Sequence, residues 1–264
     1  MELKWSSSSR SDVGMVRELN EDAVLDRPAA GLWVVADGMG GHTAGDVASQ
    51  MIRDRLAEIE SPGSLSGLVD AVEGRLMEVN TTLRDMASRG EHQTIGSTVV
   101  ALLAHGSHAV CLWAGDSRAY RLRDQRLEQV SEDHALVQEL MAKGVLSPEQ
   151  AANHPQANLV TRAVGAGDQL YVDAEIVELR AGDRFLLCSD GLDKELSEAE
   201  IGELLGSREG INTSEALVNL ALERGSRDNV SVVTVDIDAV ADAAADEQPS
   251  QDDTVPGVAG VRSP

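Results

Sequence analysis

The chain has 264 residues, of which 42% are hydrophobic and only 2% aromatic, so it can fill a core with Val, Leu, Ile and Ala in one domain. Its 45 acidic and 22 basic side chains give a formal net charge of −23. That balance excludes nucleic acid and anionic membranes as partners, because both select basic patches.

The first ten residues are serine-rich and read as a short lead-in, without the apolar stretch of a signal peptide. No apolar run reaches the roughly 20 residues that span a bilayer. Segments 22–25 and 32–36 read as strands joined by a turn-rich link. A helix is expected over 43–59, with Val47, Met51, Ile52, Leu56 and Ile59 on its apolar face, and Ser61-Pro62-Gly63 ends it. A second helix over 65–87 presents Leu68, Val72, Leu76, Val79 and Leu83. Strands follow at 96–103, 108–114, 118–123 and 127–130, with connections short enough for antiparallel pairing. Segment 133–143 reads as a helix with Leu136, Val137 and Leu140 inward. Segment 144–158 is turn-rich, with a helix start where Ser147 caps and Pro148 takes the first helical position. Strands at 171–179 and 183–189, helices at 198–205 and 214–223, and a strand at 230–237 complete the body.

From residue 238 the composition shifts to Ala, Asp, Gln, Pro, Ser and Gly, as in a disordered tail. This acidic tail, 238–264, holds six acids and one Arg, so −5 of the −23 lies there and −18 remains on the body, 1–237. The element order predicts an α+β fold: a central β-sandwich of two antiparallel sheets flanked on both sides by helices. Cys111 and Cys188 fall inside apolar runs with no zinc-type spacing, and read as buried reduced thiols in a cytoplasmic protein. A monomer is expected.

Three apolar runs end in an aspartate. Leu32 to Ala36 leads into Asp37-Gly38, Val110 to Gly115 into Asp116, and Phe185 to Ser189 into Asp190-Gly191. Asp228-Asn229 directly precedes the run from Val230 to Val235. A carboxylate at the end of a buried strand is costly to ionise without a positive partner. Several such ends suggest a shared hard divalent cation, and hence a Mg²⁺ or Mn²⁺ hydrolase. Taken singly, each of these aspartates could equally be a turn residue or helix cap.

The ordered set RELNED (17–22), DGMGGH (37–42), GST (96–98), GDSR (115–118), LVTRAVG (159–165), SDGL (189–192) and RDN (227–229) resembles the metal-dependent protein phosphatases of the PPM, or PP2C, family. The likeness is to the bacterial serine/threonine branch and covers about 7–237. Within that branch the chain is similar to phosphatases that oppose a Hanks-type kinase, including those tied to type VI secretion. The resemblance implies a binuclear Mn²⁺ or Mg²⁺ centre. Asp37 would bridge both ions and the Gly38 carbonyl would bind one, while Asp190 and Asp228 would hold the other. Glu21 and Asp22 would anchor metal-bound waters. Asp116 with Asp190 would take a third, weaker ion, and Arg17 would grip the substrate phosphate. The catalytic set implied is Arg17, Asp37, Asp190 and Asp228. In such a centre two cations about 3.5–4 Å apart share a bridging water and lower its pKa, and the resulting hydroxide attacks phosphorus in line. The expected substrates are phosphoserine and phosphothreonine monoesters on proteins, with a Ser/Thr kinase and its targets as partners.

Some relatives carry a histidine directly after the aspartate–glycine pair; here that place is Met39, which cannot donate a proton. A metal-bound water and His42 remain as candidates for the leaving-group proton. Ser117, Arg118, His134 and Arg162 read as structural, and 144–158 matches a flap beside the active site of bacterial relatives. A dead homologue acting as a scaffold, or a metal-regulated sensor domain, is the competing class.

Overall fold

The computed structural model describes residues 2–40, 44–60, 63–89, 95–207 and 212–240. One sheet contains β1 (Leu3–Asp12), β7 (Arg118–Arg123), β8 (Arg126–Gln129), β10 (Arg184–Cys188) and β11 (Val230–Ala239), in the order β1-β11-β10-β7-β8. The other has the order β2-β3-β5-β6-β9, made of β2 (Asp22–Arg27), β3 (Leu32–Gly40), β5 (Val99–His105), β6 (His108–Ala114) and β9 (Asp173–Glu178), with the short β4 (Ile95–Ser97) on β3. Every strand pairing in both sheets is antiparallel.

The apolar runs are continuous because both strand faces are buried. On β3, Trp33 and Val35 point into the layer between the sheets, where they join Val100, Trp113, Phe185 and Val233. Leu32, Val34 and Ala36 point the other way, onto α1 (Ala44–Ala57) and α2 (Leu65–Arg89). The outer face of the first sheet is covered by α5 (Asp190–Asp193), α6 (Glu198–Gly206) and α7 (Thr213–Glu223), through Tyr120, Leu186, Ile201, Leu217 and Val218. The expected helix-flanked sandwich is therefore observed. No helix among the described residues is long and apolar enough to cross a membrane. Cys111 and Cys188 are free and buried, as expected.

Several local expectations are corrected. The serine-rich lead-in is a ten-residue strand, β1, paired along its whole length with β11. Its serines bond sideways rather than pack: Ser7 to Asp26, Ser8 to Thr234 and Ser11 to Ser231. That pairing also carries β11 to Ala239, two residues past its expected end. The expected strand 96–103 breaks at Thr98, between β4 and β5. On α1, Val47 faces solvent and Ala48 is buried in its place, because the helix lies close on β3. The helix expected over 133–143 starts late: α3 runs Leu136–Ala142, since Ala135 is held by a bridge to Val160. Leu136 and Leu140 are only partly buried; Val137 packs with Ala135 and with Ala151 of α4 (Pro148–Ala152), where Ser147 and Gln150 form the expected cap.

Register explains how distant acids meet. Asp22 pairs with Asp37 across β2 and β3. Antiparallel pairing then places the start of β5, the end of β6, the start of β7, the end of β10 and the start of β11 at the same edge of the sandwich.

Candidate active site

At that edge an open cleft of about 420 Å³ is lined by Arg17, Glu21, Asp37, Gly38, Asp116, Asp190 and Asp228, together with Met39, Thr98, Lys194, Asn229 and the 158–160 segment. Seven of the eight residues singled out from the sequence line it. The eighth, Asp22, lies buried behind it. Ser189 donates to Asp22 Oδ2 at 2.8 Å, while Asp22 Oδ1 is buried without a partner.

Asp37 is fixed through its backbone. Its N–H donates to Thr98 Oγ1 (3.1 Å), and its carbonyl accepts from the Thr98 amide (2.8 Å) and the Ser97 hydroxyl (2.9 Å). Thr98 Oγ1 in turn shares a hydrogen bond with Ser117 Oγ (2.7 Å). The break between β4 and β5 therefore serves the site: it turns Thr98 onto Asp37. Gly38 is required by close approach, since a Cβ there would stand 2.0 Å from the Gly45 carbonyl oxygen and 2.6 Å from that of Glu21. The Gly38 N–H donates to the Glu21 carbonyl (3.0 Å), which ties the RELNED segment to the DGMGGH segment.

The carboxylates repel one another. Burial first, then neighbouring acids, pushes the Asp22 carboxyl up to about 7 and Asp116 to about 6, and holds Asp37 well above the usual carboxylate range. Burial also raises Glu21. A cluster that resists ionisation to this degree fits cations, and its donors are all oxygen, as Mg²⁺ and Mn²⁺ prefer. Asp190 Oδ1, like Asp22 Oδ1, is buried and unpartnered. Among the described residues no three acid, imidazole or thiol groups already form a closed cage. The side-chain cations intervene instead: Arg17 Nη2 lies 2.9 Å from Asp228 Oδ1, and Lys194 Nζ donates to Asp190. The donor chemistry is the stronger guide, because carbonyls and waters complete oxygen sites of this kind.

Besides Thr98, two site residues were given no role in the sequence. The buried Asn229 side chain accepts from the Glu21 N–H (2.9 Å) and donates to the carbonyls of Val13 (2.9 Å) and Leu19 (3.0 Å), bracing the loop that carries Arg17. Its position next to Asp228 was the available signal. Lys194 stands four residues after Asp190, a spacing that places both on one helical face.

Arg118, His134 and Arg162, read as structural, are not among the residues lining the cleft. Arg118 makes a bidentate pair with Asp133 and a 2.9 Å contact to Asp193. His134 Nδ1 accepts from the Gly115 N–H (3.1 Å), which leaves the neutral ring's proton on Nε2, facing Asp173 Oδ2 at 3.0 Å. Arg162 Nη1 donates to Asp173 (3.0 Å). His42 lies outside the described residues.

Fold and cleft together define a class: a helix-flanked double sheet with an oxygen-only, carboxylate-dense site at one edge, suited to metal-dependent hydrolysis. A family model, Protein phosphatase 2C, matches residues 16–216, and the chain belongs to that family. Serine/threonine protein phosphatase PstP of Mycobacterium tuberculosis is 38% identical over 231 residues, which are 87% of this chain and 44% of that protein. The chain thus matches less than half the length of that relative. The structure of PppA, a key regulatory component of the T6SS in Pseudomonas aeruginosa, aligns with a TM-score of 0.83 at 46% identity, over 89% of this chain and 98% of that one. The catalytic domain of a serine/threonine phosphatase PstP in complex with two manganese ions aligns with a TM-score of 0.79 at 37% identity, over 90% of this chain and 100% of that domain.

Proposed function

We propose that this chain is a protein serine/threonine phosphatase that hydrolyses phosphoserine and phosphothreonine monoesters at the cleft. The observation that carries this reading is the convergence of Asp37, Asp116, Asp190 and Asp228 with Arg17 in one open cleft. Mn²⁺ or Mg²⁺ would be held by Asp37, the Gly38 carbonyl, Asp190 and Asp228, with a further weaker ion between Asp116 and Asp190. Glu21 and Asp22 would steady bound water from behind. Such ions supply an activated water and neutralise charge on the phosphoryl oxygens.

The chain's own residues do the rest. Arg17, half-exposed and anchored on Asp228, offers guanidinium donors that fit a phosphate bidentately. Thr98 and Asn229 hold Asp37 and the Arg17 loop, so that positioning is achieved before substrate arrives. Met39 lines the cleft but carries no proton, which leaves bound water or His42 to protonate the leaving alkoxide. The free cysteines are buried inside the strands, and burial raises both thiols, so neither serves as a nucleophile.

The site's openness suits a phosphorylated side chain presented by a protein surface, and a Hanks-type Ser/Thr kinase with its substrates is the partner that this activity implies. A role beside type VI secretion is supported by the likeness to PppA. We assign catalysis to the body, 1–237, in a cytoplasmic monomer, and none to the acidic segment 238–264, most of which lies outside the described residues. The test compares phosphate release from phosphothreonine, phosphoserine and phosphotyrosine peptides with Mn²⁺ present or chelated. Release from the first two, lost on chelation, supports the assignment; release that survives chelation, or that favours phosphotyrosine, overturns it.

A further inference from the structure

The cleft holds a cation that the proposed reaction does not use. Lys194 follows the short helix α5, four residues after Asp190, so the two side chains share one turn. Its Nζ donates to Asp190 Oδ2 and lies 3.7 Å from Asp228 Oδ2. Those two carboxylates come from the adjacent ends of β10 and β11, which the antiparallel ladder brings to one edge. Arg17 occupies the other oxygen of Asp228, so this carboxylate is bracketed by two positive groups.

We propose that Lys194 is a tethered counter-cation for the Asp190–Asp228 pair, one that a divalent ion must displace in order to bind there. The inference rests on the metal reading of these carboxylates given above. Two carboxylates brought together without a cation repel, and the ammonium lies against both. A divalent ion brings more charge to the same oxygens and pushes the ammonium aside. The lysine stem is flexible, so the displaced ammonium stays in the cleft and repels any further cation nearby. The ion most affected is the weaker one between Asp116 and Asp190. Lysine suits this role better than arginine because a compact point charge moves off one oxygen without a planar, two-point contact to break.

The test uses the whole chain, stripped with chelator and dialysed, and two readouts: calorimetric titration with Mn²⁺ and the melting temperature of the metal-free protein. In Lys194→Met the stem is kept and the charge removed. Loss of a partly buried ion pair together with loss of cation repulsion predicts Mn²⁺ binding about tenfold tighter than wild type. The same variant melts at a lower temperature without metal, because the carboxylate pair has lost its cation. Lys194→Arg keeps the charge and adds a planar contact, so it binds Mn²⁺ no more tightly than wild type and retains the metal-free melting temperature. Should Lys194→Met fold poorly, Lys194→Gln makes the same comparison. Equal or weaker Mn²⁺ binding in the neutral variants, with wild-type binding intact, overturns the proposal and leaves the metal site standing. Absence of Mn²⁺ binding in wild type overturns the metal reading itself, and this inference with it.

Discussion

Asn229→Ala tests the bracing of the Arg17 loop. The Asn229 side chain is 5% exposed and makes three hydrogen bonds, all to backbone groups of the segment between β1 and β2. Its amide nitrogen holds the carbonyls of Val13 and Leu19, on either side of Arg17, and its oxygen holds the Glu21 N–H. Truncation removes all three. At about 1 kcal/mol net for each bond, the variant is expected to lose about 3 kcal/mol of stability. Urea denaturation reads this as a lower midpoint at unchanged slope, because the surface exposed on unfolding is the same. The kinetic signature is separate. With the loop released, Arg17 is no longer held beside Asp228, so KM for a phosphothreonine peptide rises more than kcat falls. A stability loss below about 1 kcal/mol, accompanied by an unchanged KM, refutes the reasoning.

Gly38→Ala places a methyl 2.0 Å from the Gly45 carbonyl oxygen, so α1 must move off β3; a loss of about 2–3 kcal/mol is expected in the same denaturation assay. Asp22 and Asp116 bind protons more tightly in the fold than in the unfolded chain, where carboxylates titrate near 4. Between about 4 and 7 the folded state therefore holds the extra protons, and the metal-free chain loses stability as pH rises through that window. Melts in chelator at pH 5 and pH 7.5 check this: the higher pH should be the less stable, and Mn²⁺ should narrow the difference. His134→Asn keeps an acceptor near the Nδ1 position for the Gly115 N–H, whereas His134→Gln leaves that buried amide unpaired. The glutamine variant is expected to be less stable by about 1–2 kcal/mol, with weaker turnover because the turn carrying Asp116 loosens.

Much of this molecule is legible in its sequence where one residue type has one physical use. Leu68, Val72, Leu76, Val79 and Leu83 recur at helical spacing and all lie on the buried face of α2. The aspartates at strand ends advertise themselves because a charge after a buried run needs a partner, and register then gathers them at one edge. What stayed hidden depends on partners far along the chain. The serines of β1 have weak strand preference and are held by a ladder to β11, more than two hundred residues away. Thr98 looks like one more residue of an apolar strand until its hydroxyl is seen against the Asp37 N–H. Asn229 has the composition of a turn, and only the folded loop gives its amide three backbone partners. Lys194 has the spacing of an ordinary helical ion pair with Asp190; its proximity to Asp228, just ahead of β11, is what makes it part of the site.

The central claim is that this cleft, with metal, hydrolyses phosphothreonine. The most direct measurement is phosphate release from a phosphothreonine peptide by wild type and by Asp37→Asn, each with Mn²⁺ and with excess chelator, with both proteins shown to be folded. The account predicts release by wild type with Mn²⁺ alone, and its abolition by chelator or by the substitution. Full activity in Asp37→Asn, or none in folded, Mn²⁺-bound wild type, contradicts it; the second result would favour a scaffold that binds phosphoproteins without turning them over.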